Sequence, residues 1–155
     1  MSITWVLIAD GSRARLFENA RRDEPLHQLE SFLNADARLP GRQLTTGRLP
    51  TVNESMGYSR HSIEPHTTLR EKQMAGFAKE LADALERGRT ARRYDRLILV
   101  APPKFLGALH DCFDKPLRNC VIGELRRDIT TLSEPEIHER VARLLEPAAR
   151  HSRIA

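Results

Sequence analysis

Two aspartates, Asp10 and Asp128, are the residues of this 155-residue chain whose type and position first suggest metal chemistry. A two-metal nuclease needs several carboxylates at neighbouring strand ends, where they hold cations roughly 4 Å apart. Asp10 follows an apolar segment, as such a ligand would. The central apolar segment, however, ends in a carboxylate-free stretch, 100–103 (VAPP), and Asp128 follows two arginines. The sequence therefore favours Asp10 as a hairpin-turn residue.

Other catalytic and ligand-binding patterns are weak. Segment 57–61 (GYSRH) contains a serine and a histidine, but it follows polar residues rather than a strand, unlike the strained turn of a nucleophilic serine. His61 and His66 lie five residues apart, with no cysteine nearby to complete a tetrahedral zinc site. The chain also lacks a GxGxxG or P-loop phosphate-binding motif. The sequence predicts no metal and no cofactor.

Arginines are more informative, because 25 Lys and Arg against 21 Asp and Glu give the chain a formal charge of +4. Several arginines cluster where a long helix is expected to end. Such a cluster either stabilises the helix C-terminus and improves solubility, or contacts phosphate groups, which would make binding depend steeply on salt. Aromatic residues are 5% of the chain, too few for a broad base-stacking platform. The cluster comprises Arg87, Arg89, Arg92, Arg93 and Arg96.

Lys104 is a further candidate, because it follows two prolines at the C-terminal end of an expected buried strand, where α/β proteins bind ligands. The helix dipole does not favour a lysine in a first turn, which points to a ligand role; surface solvation is the alternative. A long polar segment supplies more basic candidates, namely Arg38, Arg42, Arg48 and Arg60.

The elements that must position these residues begin with strands. Segments 3–9 (ITWVLIA) and 14–18 are joined by Asp10-Gly11, a strong hairpin signal, and 26–33 indicates a third strand. Residues 34–66 then contain three Gly and three Pro without a sustained apolar period. A loop of that length inside a compact domain is either functional or disordered.

The second half of the chain reads as alternating helices and strands. Thr68 and Glu71 have the form of a capping box, an apolar stripe follows, and Gly88 is expected to close this helix. Buried strands are expected at 95–101 and 119–125, with a short helix at 104–113 between them. A second capping box, Ser133 to Glu136, begins a helix whose inward-facing residues are Ile137, Val141, Leu144 and Leu145.

This order predicts an α/β fold with three layers. Its mixed sheet has an antiparallel front, parallel late strands and flanking helices, and is ribonuclease-H-like. One domain is expected at 1–146, followed by a basic tail at 147–155. The longest apolar run, 97–103, is too short for a membrane span, and the first residues, 1–8, contain no basic leader. With only Cys112 and Cys120, both expected as reduced thiols, the chain is expected to be cytoplasmic.

Several segments carry a resemblance to a known family: 9–17 (ADGSRARLF), 60–61 (RH), 77–81 (FAKEL), 100–107 (VAPPKFLG) and 123–133 (GELRRDITTLS). Together they resemble the bacterial host attachment proteins, described as required for attachment to host cells, over residues 3–145. That family is similar in turn to the middle domain of archaeal and eukaryotic peptide-chain release factors, whose ribonuclease-H-like fold agrees with the order derived above.

The resemblance also implies where an activity would lie. In the release factors, the loop before the long helix carries Gly-Gly-Gln, which positions water against the peptidyl-tRNA ester. This chain has no Gly-Gly-Gln, and its nearest approach is Gly41-Arg42-Gln43, 25 residues before Thr68. The family's loop also tends to carry Asp-Arg-x-Gly-Arg, where this chain has 47–51 (GRLPT).

The function expected from the sequence is therefore a non-catalytic binding module for RNA or a ribosomal surface. One alternative is a release-factor-like hydrolase acting on peptidyl-tRNA, with Gln43 or His61 assisting water. Another is a protein-interaction factor needed for attachment to host cells, and self-association into a homo-oligomer is left open. The expected binding residues are Arg38, Arg48, Arg60, His61, Arg87, Arg92, Arg93 and Lys104.

Overall fold

The computed structural model describes residues 2–21, 24–35 and 59–145. Within them the elements follow in the order β1 (Thr4–Ala9), β2 (Arg13–Asn19), β3 (His27–Leu33), α1 (Ser59–Thr90), β4 (Arg96–Val100), α2 (Pro103–Cys112), α3 (Lys115–Cys120), β5 (Val121–Leu125) and α4 (Glu134–Leu145). The expected basic tail at 147–155 and most of the polar segment lie outside the described residues.

The five strands form one mixed sheet in the order β3-β2-β1-β4-β5. β1 pairs with β2 and β2 with β3 in antiparallel fashion, whereas β1, β4 and β5 run parallel. Helices α1, α2 and α3 pack on one face of the sheet, and α4 packs on the other. The predicted three-layer α/β architecture is confirmed.

Strand β1 lies at the centre and is buried along its whole length. Trp5 and Leu7 join the core beneath α1, whereas Val6 and Ile8 join the core beneath α4. A strand covered on both faces must be apolar at every position, because successive side chains point to opposite faces. The uninterrupted apolar run near the start of the sequence therefore marks the centre of the sheet.

The predicted start of the long helix at Thr68 is wrong, because α1 begins at Ser59. The last eight residues of the expected loop, 59–66, are consequently helical. Residues 69–72 are exposed, and the first fully buried side chain of the described stripe is Phe77. Apolar periodicity marks a helix only where the helix covers a core. The N-terminal part of α1 lacks that signal, so the sequence pattern detected only the packed part.

The predicted end of α1 at Gly88 is also wrong, because the helix continues to Thr90. Arg92 adopts the left-handed conformation with φ 60°, and the Arg93 amide donates to the Gly88 carbonyl. The Arg92 amide donates to the Arg89 carbonyl, which completes a Schellman motif. Gly88 has a different role, since a Cβ there would lie 2.6 Å from two Trp5 ring carbons. The glycine gives the indole room against the helix.

The region after α2 also departs from the prediction. The expected strand from 119 begins at Val121, because residues Lys115–Cys120 form the short helix α3. Its N-cap is Asp114, whose carboxylate accepts from the Leu117 amide. β5 was expected to be buried, yet Ile122 is exposed, since β5 is an edge strand.

The expected capping box of the last helix is confirmed. The Ser133 hydroxyl accepts from the Glu136 amide at 3.3 Å, and the Glu136 carboxylate accepts from the Ser133 amide at 3.0 Å. The Ser133 hydroxyl also donates to the Glu136 carboxylate, and the bonds from the Ser133 amide and hydroxyl lower the pKa of Glu136. Ile137, Val141 and Leu145 are buried against the sheet, as the spacing predicts, and Leu144 is partly buried beside them.

Two glycines of α1 provide a matched test of the indole packing. Gly88→Ala is expected to destabilise the protein by about 1–3 kcal/mol, because the methyl group overlaps the Trp5 ring. Gly76→Ala meets nothing within 4 Å and should stabilise the same helix by about 0.5–1 kcal/mol. Urea denaturation measures both changes, and equal signs for the two variants would contradict the packing described.

Candidate nucleic-acid interface

Three arginines form a charged surface at the C-terminal end of α1. We define the arginine surface as the side chains of Arg87, Arg92 and Arg93, all exposed. Within the described residues, none of the three forms an ion pair. Arg89 differs, because its Nη2 lies 2.6 Å from Oε2 of Glu86. The hydrogen bond from Arg89 lowers the pKa of Glu86, so this pair neutralises itself beside the surface.

One of the three guanidinium groups is held by an aromatic stack. The Arg93 Cζ lies 5.1 Å from the centroid of the Trp5 ring, a cation–π contact. Tyr94 stacks on Trp5 with ring centroids 4.4 Å apart, and its hydroxyl donates to the Leu85 carbonyl at 2.6 Å. The Trp5 indole N–H in turn donates to Glu18. Arg93 is therefore positioned by a buried framework rather than by solvent alone.

A cavity of about 260 Å³ opens next to these arginines, between α1 and the first three strands. Its apolar walls come from both the sheet and the helix, and its charged residues include one carboxylate. The residues that line it include Trp5, Leu16, Leu29, Glu30, Arg87 and Arg93. The cavity thus combines apolar surface with charges of both signs.

The opposite end of the sheet carries a cluster of polar side chains. Asp10 Oδ1 accepts from the amides of Ser12 and Arg13 at 2.7 and 2.9 Å, which confirms the predicted turn role. The Thr130 hydroxyl oxygen lies 3.1 Å from Asp10 Oδ2 and 2.9 Å from Asp128 Oδ1. Across the described ranges, no group of three or more His, Cys, Asp or Glu could hold a metal ion. These bonds link the first hairpin to the segment before α4.

Arg15 also binds the segment before α4, a role that the sequence did not predict. Its Nη1 donates to the carbonyls of Thr130 and Leu132 at 3.1 and 2.7 Å. Its Nε and Nη2 both donate to Gln28, and the guanidinium lies over the ring of Phe17. Because these partners are distant in sequence, no local pattern distinguishes Arg15 from its neighbour Arg13.

Among the expected binding residues that the structure describes, Lys104 lies apart from the arginine surface. Lys104 is exposed in the first turn of α2, beyond the carboxyl end of β4, whereas Arg93 precedes the other end of that strand. Arg60 and His61 begin α1, and Arg60 lies 27 positions before Arg87, about 40 Å along the helix. Arg38, Arg42, Gln43 and Arg48 lie outside the described residues.

A comparison of the whole chain with known protein families identifies the same family as the sequence segments quoted above. A family model described as "Protein required for attachment to host cells" matches residues 5–141. The chain belongs to this host attachment family. The match includes the arginine surface and both ends of the sheet.

The chain is also similar to two individual proteins, one by sequence and one by structure. An uncharacterized protein of Rickettsia prowazekii (strain Madrid E) is 32% identical over 69 residues, 43% of this chain and 46% of that protein. The crystal structure of an archaeal translation termination factor is similar with a TM-score of 0.45 and 11% identity, covering 96% of this chain and 40% of that one. The chain spans less than half of either protein's length.

None of the helices in the described part of the chain combines the length and the apolar character that crossing a bilayer requires.

The role of Arg15 can be tested against its exposed neighbour. Arg15→Leu removes two bonds to backbone carbonyls of the segment before α4 and is expected to cost about 2 kcal/mol of unfolding free energy. Hydrogen exchange in residues 128–132 should also become faster. Arg13→Leu is the control and should change stability by less than about 0.5 kcal/mol. Comparable losses in the two variants would show that Arg15 does not anchor this segment.

The burial of Tyr94 against Trp5 predicts that the free energy of unfolding depends on pH in the alkaline range. Burial raises the pKa of Tyr94 above its ordinary value, so folding favours the neutral phenol. The stability that this preference contributes is fully present below pH about 10, the pKa of tyrosine in the unfolded chain, and is lost as the pH rises further. Urea denaturation between pH 8 and 11 should show a steeper loss in the wild type than in Tyr94→Phe. The partly buried thiols of Cys112 and Cys120 are present in both proteins, so parallel profiles would contradict the assignment to Tyr94.

Proposed function

We propose that this host attachment family protein is a non-catalytic binding module for RNA, and that the arginine surface contacts the phosphates. The observation that supports this most directly is the grouping of Arg87, Arg92 and Arg93, three exposed guanidinium groups without ion pairs among the described residues. Arginine forks bind phosphate oxygens in bidentate fashion, and such contacts supply most of the affinity of RNA-binding surfaces.

The helix dipole accounts for only part of this cluster. Its effect falls off within the last turn, and Arg92 and Arg93 come after the helix has ended. Arg92 also occupies a left-handed position, which costs a non-glycine residue roughly 1–2 kcal/mol. An arginine in a position better suited to glycine favours a role for its side chain beyond solubility.

The restricted position of the Arg93 side chain supports the same proposal. An exposed arginine loses rotamer freedom when it binds phosphate, which costs roughly 0.5–1.5 kcal/mol per side chain. The Trp5 ring already restricts Arg93, so part of that cost is met on folding. The hydrolase alternative depends instead on Gln43 and on the side chain of His61, both of which lie outside the described part of the structure.

The salt dependence of RNA binding tests the proposal. The triple variant Arg87→Glu, Arg92→Glu and Arg93→Glu should bind a single-stranded RNA more weakly in fluorescence anisotropy. Its slope of log K against log salt should be shallower by about 2, since each lost phosphate contact removes roughly 0.7.

A charge-matched control is available on other elements. Lys115, Arg140 and Arg143 are exposed on α3 and α4, and reversing them changes the net charge by the same amount. This control should keep the wild-type slope. Equal loss in the two triple variants would indicate attraction by net charge alone and contradict the assignment. A wild-type protein that does not bind RNA at low salt would refute RNA binding itself.

A further inference from the structure

The cavity beside the arginine surface contains a carboxylate where a surface made only for phosphates would avoid one. Glu30 is exposed on β3 and lines this cavity together with Arg87 and Arg93. Within the described residues it makes no ion pair with either arginine. A free carboxylate repels phosphate, so its presence in the same cavity as two phosphate-binding groups fits a ligand group that donates hydrogen bonds.

We infer that the cavity binds a guanine base of single-stranded RNA, with Glu30 reading its Watson–Crick edge; this inference rests on the proposed function. Guanine presents two adjacent donors, N1–H and N2–H, which match the two oxygens of one carboxylate. Cytosine and adenine each place an acceptor beside their amino group, and uracil flanks its one N–H with two carbonyls. Single-stranded RNA leaves these edges free to be read.

The walls of the cavity suit a stacked base. Leu16 and Leu29 supply apolar surface from the sheet, and the Arg93 guanidinium supplies a plane of the kind on which RNA bases stack. The volume of about 260 Å³ is below the roughly 300–1,000 Å³ of sites for drug-sized ligands. It therefore fits one base, while Arg87 and Arg93 remain available to the flanking phosphates.

Uridine decamers with one central guanine, adenine, cytosine or uracil test the assignment by fluorescence anisotropy. The wild type should bind the guanine decamer about tenfold more tightly than the all-uridine decamer, the discrimination typical of one bidentate base contact. Glu30→Gln should weaken the guanine complex and strengthen the all-uridine complex, because it removes both the reader of guanine and a charge that repels phosphate. A misfolded variant would weaken both complexes. Glu139→Gln, an exposed neutralisation on α4, should keep the tenfold preference.

The failure of this inference is distinguishable from that of the proposed function. If the wild type binds all four decamers equally, and the arginine reversals still reduce the salt slope, the guanine pocket is wrong and RNA binding stands. If no decamer binds, both are wrong. Guanosine monophosphate that binds as tightly as the guanine decamer would reassign the pocket to a free nucleotide and overturn the RNA inference.

Discussion

The contact between the Trp5 indole and Gly88 determines how the end of α1 meets the sheet. The indole occupies the space that a Cβ would need at position 88, so the helix approaches the first strand closely there. Tyr94 stacks on the same indole ring, and the chain reverses between Gly88 and Tyr94. The left-handed Arg92 makes that reversal. The positions of the surface arginines therefore follow from how one buried ring is packed.

The polar side chains at the two ends of the sheet differ in whether they are bonded within the protein. At the carboxyl ends of the parallel strands, Asp10 and Thr130 are occupied by bonds within the protein, and Arg15 is occupied in the same way. At the amino end, the three guanidinium groups of the arginine surface have no ion-pair partner among the described residues. The cluster of Asp10, Asp128 and Thr130, whose residue types most suggest catalysis, thus links two segments of the protein. The proposed interface lies at the opposite end, beside the amino ends of the parallel strands.

Much of the fold could be predicted because its signals are local or follow from burial. The apolar run of β1, the Asp10-Gly11 hairpin and the Ser133 capping box each depend on neighbouring residues. The extent of α1 could not be predicted, because its first ten residues, 59–68, contain one large apolar residue and therefore carry no apolar stripe in the sequence. Gly88 was misassigned for a related reason: a helix-ending glycine and a glycine that admits a distant ring look the same in sequence.

The candidate site was predictable only in part. The arginine cluster is visible in the sequence, since its members are close together along the chain. The cavity is not visible, because Glu30 and Leu16 come from the first three strands and meet Arg87 only through tertiary packing. The self-neutralised pair of Arg89 with Glu86 was likewise hidden, since sequence spacing does not reveal which of several arginines an acid will bind.

If the proposed function is correct, RNA contacts this protein at the stack formed by Trp5 and Arg93. Trp5 is the single tryptophan of the chain, so its indole N–H gives one cross-peak in a proton–nitrogen correlation spectrum. Titration with a guanine-containing decamer should shift this cross-peak in a saturable way, while the amides of Ser12 and Thr130 stay in place. A bound decamer that shifts those amides and leaves the indole signal unmoved would contradict the account.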